Sequence, residues 1–263
     1  SLSNNDSGGT GGSDSTSGNT LLGWRAGIDI ASGGLNNTSI GHASGFKLTT
    51  GDDNTYLGKY AGLGNLTGSG NTFIGSQSGL SDNGSSHSDN TAVGKDTLKL
   101  ITDGVGNTVM GSTAGDAITT QSNCTLIGQF AGSGINSADA NGSTAVGNTA
   151  LWKNTSGRYN TAIGFQSLAQ NLTGDSSTSL GYQALTATLA NGNTGIGYLA
   201  GNTITTGTSN TLLGSDADVS ASGSVNQTVI GQGATGVADN SVSLGNASVT
   251  AVYIAKGNDT SQD

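Results

Sequence analysis

The chain has 263 residues, with 46 Gly, no Pro, one Cys and 32% hydrophobic residues. That apolar fraction is too low for an ordinary two-layer core. All 17 acids are Asp, Lys and Arg number eight, and the net charge is −9. These figures exclude a basic nucleic-acid face and an internal disulfide at Cys124. No apolar run approaches the ~18 residues of a membrane span, so membrane insertion is not expected.

Residues 1–18 read as a flexible Gly/Ser-rich leader. Within it, Gly8 to Asp14 resembles a calcium-binding glycine-aspartate repeat, but the Asp stands one place late and the motif does not recur. The chain opens at Ser1 without a signal-like segment, which suggests a piece of something longer.

From residue 19 a motif [N/S]-T-x-[I/L/V]-G recurs fourteen times. Its glycines stand at 23, 41, 58, 75, 94, 111, 128, 147, 164, 181, 197, 214, 231 and 245. Such self-similarity decides the fold before any other motif does. The residue before each glycine is always apolar. Ile74, Val93, Ile127, Val146, Ile163, Leu180, Ile196, Leu213 and Ile230 are therefore expected in the core. The threonine two places earlier shares their face of the strand. The residue between them points the other way and is never charged. Tyr56, Phe73, Val109, Leu126, Leu212 and Val229 are therefore expected on a second, covered face.

Three residues after each glycine comes a small residue, such as Ala61, Ala114 or Ser167, expected at a tight corner. A second, weaker strand follows, anchored by Ile30, Leu48, Leu66, Ile118, Ile135, Leu172, Leu189 and Ile204. A Gly-containing turn closes each unit. No repeat buries its own apolar residue, and stacking repeats solves that.

The steps between glycines are 18, 17, 17, 19, 17, 17, 19, 17, 17, 16, 17, 17 and 14 residues. Every third step varies. The expected fold is thus all-β: a β-solenoid or β-prism fibre of fourteen repeats over residues 19–255, grouped in triplets. Three repeats per coil, or an intertwined trimer, explain the triplet better than one repeat per coil. A tail, 256–263, follows. Variable linkers on a rigid scaffold are where binding is usually placed. Asp82, Asn83, His87, Asp89 and Asp139 are the candidates there.

No catalytic or metal constellation is legible, so an enzyme and a cofactor are not expected. His42 and His87 lie in different repeats without triad spacing. Calcium could sit at Asp52-Asp53, Asp82 or Asp89, although solvated turn aspartates are the simpler reading. Cys124 takes the Asn place of its repeat and reads as a ladder substitute. Trp24 and Trp152 follow repeat glycines and read as packing caps, with ligand platforms the alternative.

Asn160 to Leu168 (NTAIGFQSL) and Ser177 to Leu185 (STSLGYQAL) resemble the arrays of phage tail-fibre-like proteins that precede an autocleaving S74-type intramolecular chaperone. The segment Asp239 to Gly245, with Val249 to Ile254, is similar to the stretch just ahead of that chaperone. The repeats also resemble the β-roll heads of trimeric autotransporter adhesins. The resemblance implies homotrimers or end-to-end filaments at an extracellular or virion surface, with a host-surface glycan or receptor as partner. It supplies no catalytic residue.

Three functions are weighed. The first is a self-assembling structural fibre attaching through its variable edge loops. The second is a Thr-rich solenoid face binding ice or carbohydrate. Against it stands the expectation that the threonines share the buried face. A β-helix enzyme cleaving polysaccharide ranks last, because no acid cluster recurs in phase.

Overall fold

The computed structural model describes residues 17–30, 33–81, 84–138 and 140–251. The leader through residue 16, the tail 256–263 and the candidates Asp82, Asn83 and Asp139 lie outside them.

The described residues are all-β, with fourteen strands of three residues each, from Thr20–Leu22 to Val242–Leu244. Every strand pairs in parallel with the one before and the one after, forming a single fourteen-stranded sheet in chain order. Register is strict: Thr161 pairs with Thr144 and Thr178, and Ile163 with Val146 and Leu180. One repeat therefore makes one coil of a β-solenoid. At ~4.8 Å per stacked strand the thirteen steps span roughly 60 Å. This corrects the expectation of three repeats per coil. The triplet pattern of linker lengths corresponds to no unit of this fold. The variable linkers still fall on one edge, but ~14 Å apart rather than stacked.

The inside and the outside of the strand are also the reverse of the expectation. Tyr56, Phe73, Val109, Leu126, Leu212 and Val229, expected on a second covered face, are fully buried and line the core. The expected core column faces outward. Ile74, Val93, Ile127, Val146, Ile163 and Ile196 are only half-buried, while Leu180, Leu213 and Ile230 are exposed. A three-residue strand can point inward either its middle residue or its two flanks. The interior of a 17-residue coil is narrow and admits one side chain per strand.

The rest of the interior is supplied by the turns. The small residue after the glycine is buried in each coil from Ser44 to Ala234. The expected second strand does not form among the described residues, where each coil has one strand and turns. Its anchors Leu48, Ile118, Ile135 and Ile204 are buried nonetheless, from turn positions, and Ile30 packs against the core. Leu66, Leu172 and Leu189 are not buried. In those coils the neighbour one place earlier, Asn65, Asn171 or Thr188, turns inward instead.

Volume is conserved across the core. Tyr56, Phe73 and Leu126 are each followed six residues later by a glycine: Gly62, Gly79 and Gly132. Ala92, Ala145, Ala162 and Ser179 are followed by the buried leucines Leu98, Leu151, Leu168 and Leu185. A Cβ on Gly132 would come within 2.7 Å of a Leu126 methyl. Close-packed interiors tolerate such exchanges only when the total volume is kept.

The repeat glycine is required by its backbone. Gly164 has φ +131°, and an added Cβ would run into the carbonyl oxygen of Gly181 in the next coil. The same approach recurs from coil to coil and keeps the glycines stacked.

A buried amide ladder runs beside the core column. Asn71 Nδ2 donates to Asn54 Oδ1 at 2.9 Å and to the His87 carbonyl at 2.8 Å. Asn107 does the same with Asn90 Oδ1 at 2.9 Å and the Gln121 carbonyl at 2.9 Å. Each side chain thus satisfies polar groups of two neighbouring coils, as a buried network must. Cys124 occupies the next rung, where its backbone N–H donates to Asn107 Oδ1 at 3.0 Å.

Candidate functional site

The strand face that points away from the core is a regular surface running the length of the sheet. It carries two parallel columns. One holds thirteen threonines and, in the last strand, Val242. The other holds fourteen aliphatic side chains, from Leu22 to Leu244. Exposure reaches 44% at Met110, 45% at Leu213 and 46% at Leu244, and no member of the apolar row is fully buried. Among the described residues no strand threonine hydroxyl has an internal hydrogen-bond partner. The threonines were expected on the buried face. Facing outward, they are available to water or to another surface.

A face of two residue columns, roughly 60 Å long and about 10 Å wide, presents ~600 Å². The aliphatic column makes up about half of that, ~300 Å², the lower end of the range for the largest apolar patches on monomeric proteins, which are often interaction sites. The residues that make it are the ones sequence reasoning placed in the core. Their chemistry was read correctly and their direction was not.

Of the linker candidates, His87 and Asp89 lie among the described residues, and they form no common site. His87 is fully buried, with its ring 5.3 Å from that of Phe73, and cannot serve as an open binding residue. Burial lowers its pKa to about 4, so it is neutral at pH 7. Neither ring nitrogen has a hydrogen-bond partner. Asp89 is an exposed turn residue in the left-handed region, with φ 57°. The turn acids Asp52 and Asp53 are engaged with the neighbouring coil, accepting from Leu35 N at 2.8 Å and Asn36 Nδ2 at 3.2 Å. Among the described residues no three His, Cys, Asp or Glu side chains are grouped to hold a metal ion.

Cys124 is buried, and desolvation pushes its thiol above the usual range. Such a thiol is a poor nucleophile. At Asp175, partial burial favours the neutral acid, but the Arg158 side chain at 2.9 Å and its N–H at 2.8 Å prevail and hold the carboxyl below its usual value. This pair joins two coils at the surface.

Trp24 and Trp152 do not cap the core: they are 62% and 40% exposed. Other outward rings stack from coil to coil. Phe165 to Tyr182 and Tyr182 to Tyr198 both have centroids 5.3 Å apart and planes 14° apart. The sequence carries the signal for these ladders: aromatics stand at the place after successive repeat glycines, Gly164, Gly181 and Gly197.

One-repeat coils, an in-register parallel sheet, an internal Asn ladder and an open T-x-Φ face, where Φ is aliphatic, define a parallel β-solenoid repeat protein. No family model, curated protein or solved structure matches the chain.

Proposed function

We propose that this chain is a structural, self-assembling module of an extracellular or virion-surface fibre, and that copies pack through their T-x-Φ faces. The observation that carries this reading is the unbroken outward row of fourteen aliphatic side chains. Two such faces laid together bury ~1,200 Å² in total, at the lower end of stable interfaces. The row varies from Val to Met, which an interdigitated protein interface accommodates. Homotrimers about a common axis and side-by-side pairs both cover the face, and end-to-end growth from the terminal strands extends the rod. Attachment through the variable edge loops remains part of this reading.

Protection of the face is the test. In an Ile163→Cys, Cys124→Ser variant, the new thiol reacts quickly with a maleimide at nanomolar protein and slowly at tens of micromolar. Equal rates across that range would sink the packing proposal.

A second reading is supported by one observation, the outward direction of the threonine column at a uniform coil spacing. It removes the main objection to an ice-binding face, since the threonines are not inside. Freezing hysteresis of the purified protein separates the two. A gap between melting and freezing points favours ice, and its absence leaves assembly as the use of the face.

A further inference from the structure

We propose that the groove across the first three coils binds an acidic saccharide, a sugar carrying a carboxylate. The groove has a volume of about 420 Å³ and is lined chiefly by Trp24, Arg25, His42, Phe46, Lys47 and Tyr60. That volume falls in the roughly 300–1,000 Å³ range of small-ligand sites. It is built from residues that follow the repeat glycines, whereas the T-x-Φ face is built from residues that precede them.

Three features set the chemistry. First, the rings form a ladder of one per coil. Trp24 stacks on His42 at 4.8 Å, and His42 meets Tyr60 edge-on at 5.1 Å. Trp24 is 62% exposed, so a large apolar edge is left open to solvent beside His42, which is also exposed. A pyranose ring has a C–H face that suits such a surface.

Second, the Arg25 guanidinium lies over rings, 4.4 Å from the Phe46 centroid and 5.1 Å from that of Trp24. It makes no ion pair among the described residues. Its planar fork is held in place and can take a carboxylate with two parallel hydrogen bonds. Lys47, also over Phe46 at 5.0 Å, faces Asp29 at 3.9 Å, and both side chains are more than a third exposed. An ion pair so exposed holds its partners weakly.

Third, charge is concentrated here against the trend of the chain. Arg25, Lys47 and Lys59 are three of the eight cations in a protein of net charge −9. The turn acids Asp52 and Asp53 precede their strand and accept hydrogen bonds from Leu35 and Asn36, and neither lines the groove. One free guanidinium and one weakly paired ammonium match a sugar acid, with at most one carboxylate per ring, better than a polyphosphate. Later coils place Ser76-Gln77 or Ser112-Thr113 where Trp24-Arg25 stand, so the site is local to this end.

This inference adds a ligand to the surface-fibre reading and is separable from it, since assembly is measured without any sugar present. The test uses the full chain with Trp152→Phe, which leaves Trp24 as the only fluorescent indole. Trigalacturonic acid, the neutral trisaccharide maltotriose, sodium acetate and triaspartate are titrated against Trp24 emission. Saturable quenching by trigalacturonic acid is expected, at least tenfold tighter than by the other three. Arg25→Gln is expected to weaken it about tenfold with an unchanged circular dichroism spectrum. The proposal is overturned by no saturable response, by equal affinity for maltotriose, acetate or triaspartate, or by an unchanged response in Arg25→Gln.

Discussion

Protonation of His87 is expected to destabilise the fold in a defined pH window. The imidazole is fully buried against Phe73, and neither nitrogen has a partner to receive or share a proton. Desolvation lowers its pKa from 6.5 to about 4. In the unfolded chain the same group titrates near 6.5, so between those values the unfolded state binds more protons. Stability contributed by neutral His87 is therefore complete above about pH 6.5 and is lost as pH falls towards 4. At ~1.4 kcal/mol per pKa unit the loss amounts to roughly 3 kcal/mol, a large share of a marginal stability. His87→Leu removes the titrating group at similar volume and breaks no hydrogen bond of the ring. Urea midpoints measured at pH 7.5 and 4.5, at one fixed protein concentration, read the effect. The parent is expected to lose stability between them and His87→Leu to lose much less. An identical loss in both proteins would refute the reasoning. Asp175 does not confuse the window: its pKa is depressed, so its contribution is present above the ordinary carboxylate range and is lost only as pH falls below it.

Other outcomes follow from the same packing. Leu168→Ala should cost about 2–5 kcal/mol in thermal or urea unfolding. Adding Ala162→Leu should recover part of that loss, because the two positions share one volume. Asn71→Ala leaves the His87 carbonyl without its donor and the Asn90 backbone N–H without its acceptor, Asn71 Oδ1, and should cost roughly 1–3 kcal/mol. Cys124→Asn should restore the rung and raise the unfolding midpoint, and native Cys124 should react with Ellman's reagent only on unfolding. Gly164→Ala should destabilise by more than about 1 kcal/mol, because both its φ and the Gly181 carbonyl exclude a Cβ.

The repeat boundaries, the strand positions and the all-β class were legible because glycine and the aliphatic residue mark every coil. The direction of the strand was not, because an outward row of Ile, Leu and Val looks like a core to any argument from hydropathy. Two signals pointed the other way. The Asn column and the middle residue lie two apart and share a face, and a ladder of amides forms only where water is excluded. The alternation of Tyr56 with Gly62 and of Ala162 with Leu168 is volume bookkeeping, which only a common interior requires. The number of repeats per coil was misread because the triplet in linker length has no counterpart in strand pairing. The aromatic groove was half legible: Trp24 was noticed alone, but its neighbours His42, Phe46 and Tyr60 meet it only when coils stack.

Sedimentation of the parent protein and of an Ile127→Thr, Ile163→Thr, Ile196→Thr variant tests the central claim most directly. These three side chains are turned outward, so replacing them should leave the β spectrum of the single coil stack intact. At tens of micromolar the parent should sediment as a multiple of its 25.7 kDa mass. The variant should sediment mainly as the monomer. A monomeric parent, or a variant that assembles as the parent does, would contradict the assignment of the T-x-Φ face as the surface on which copies pack.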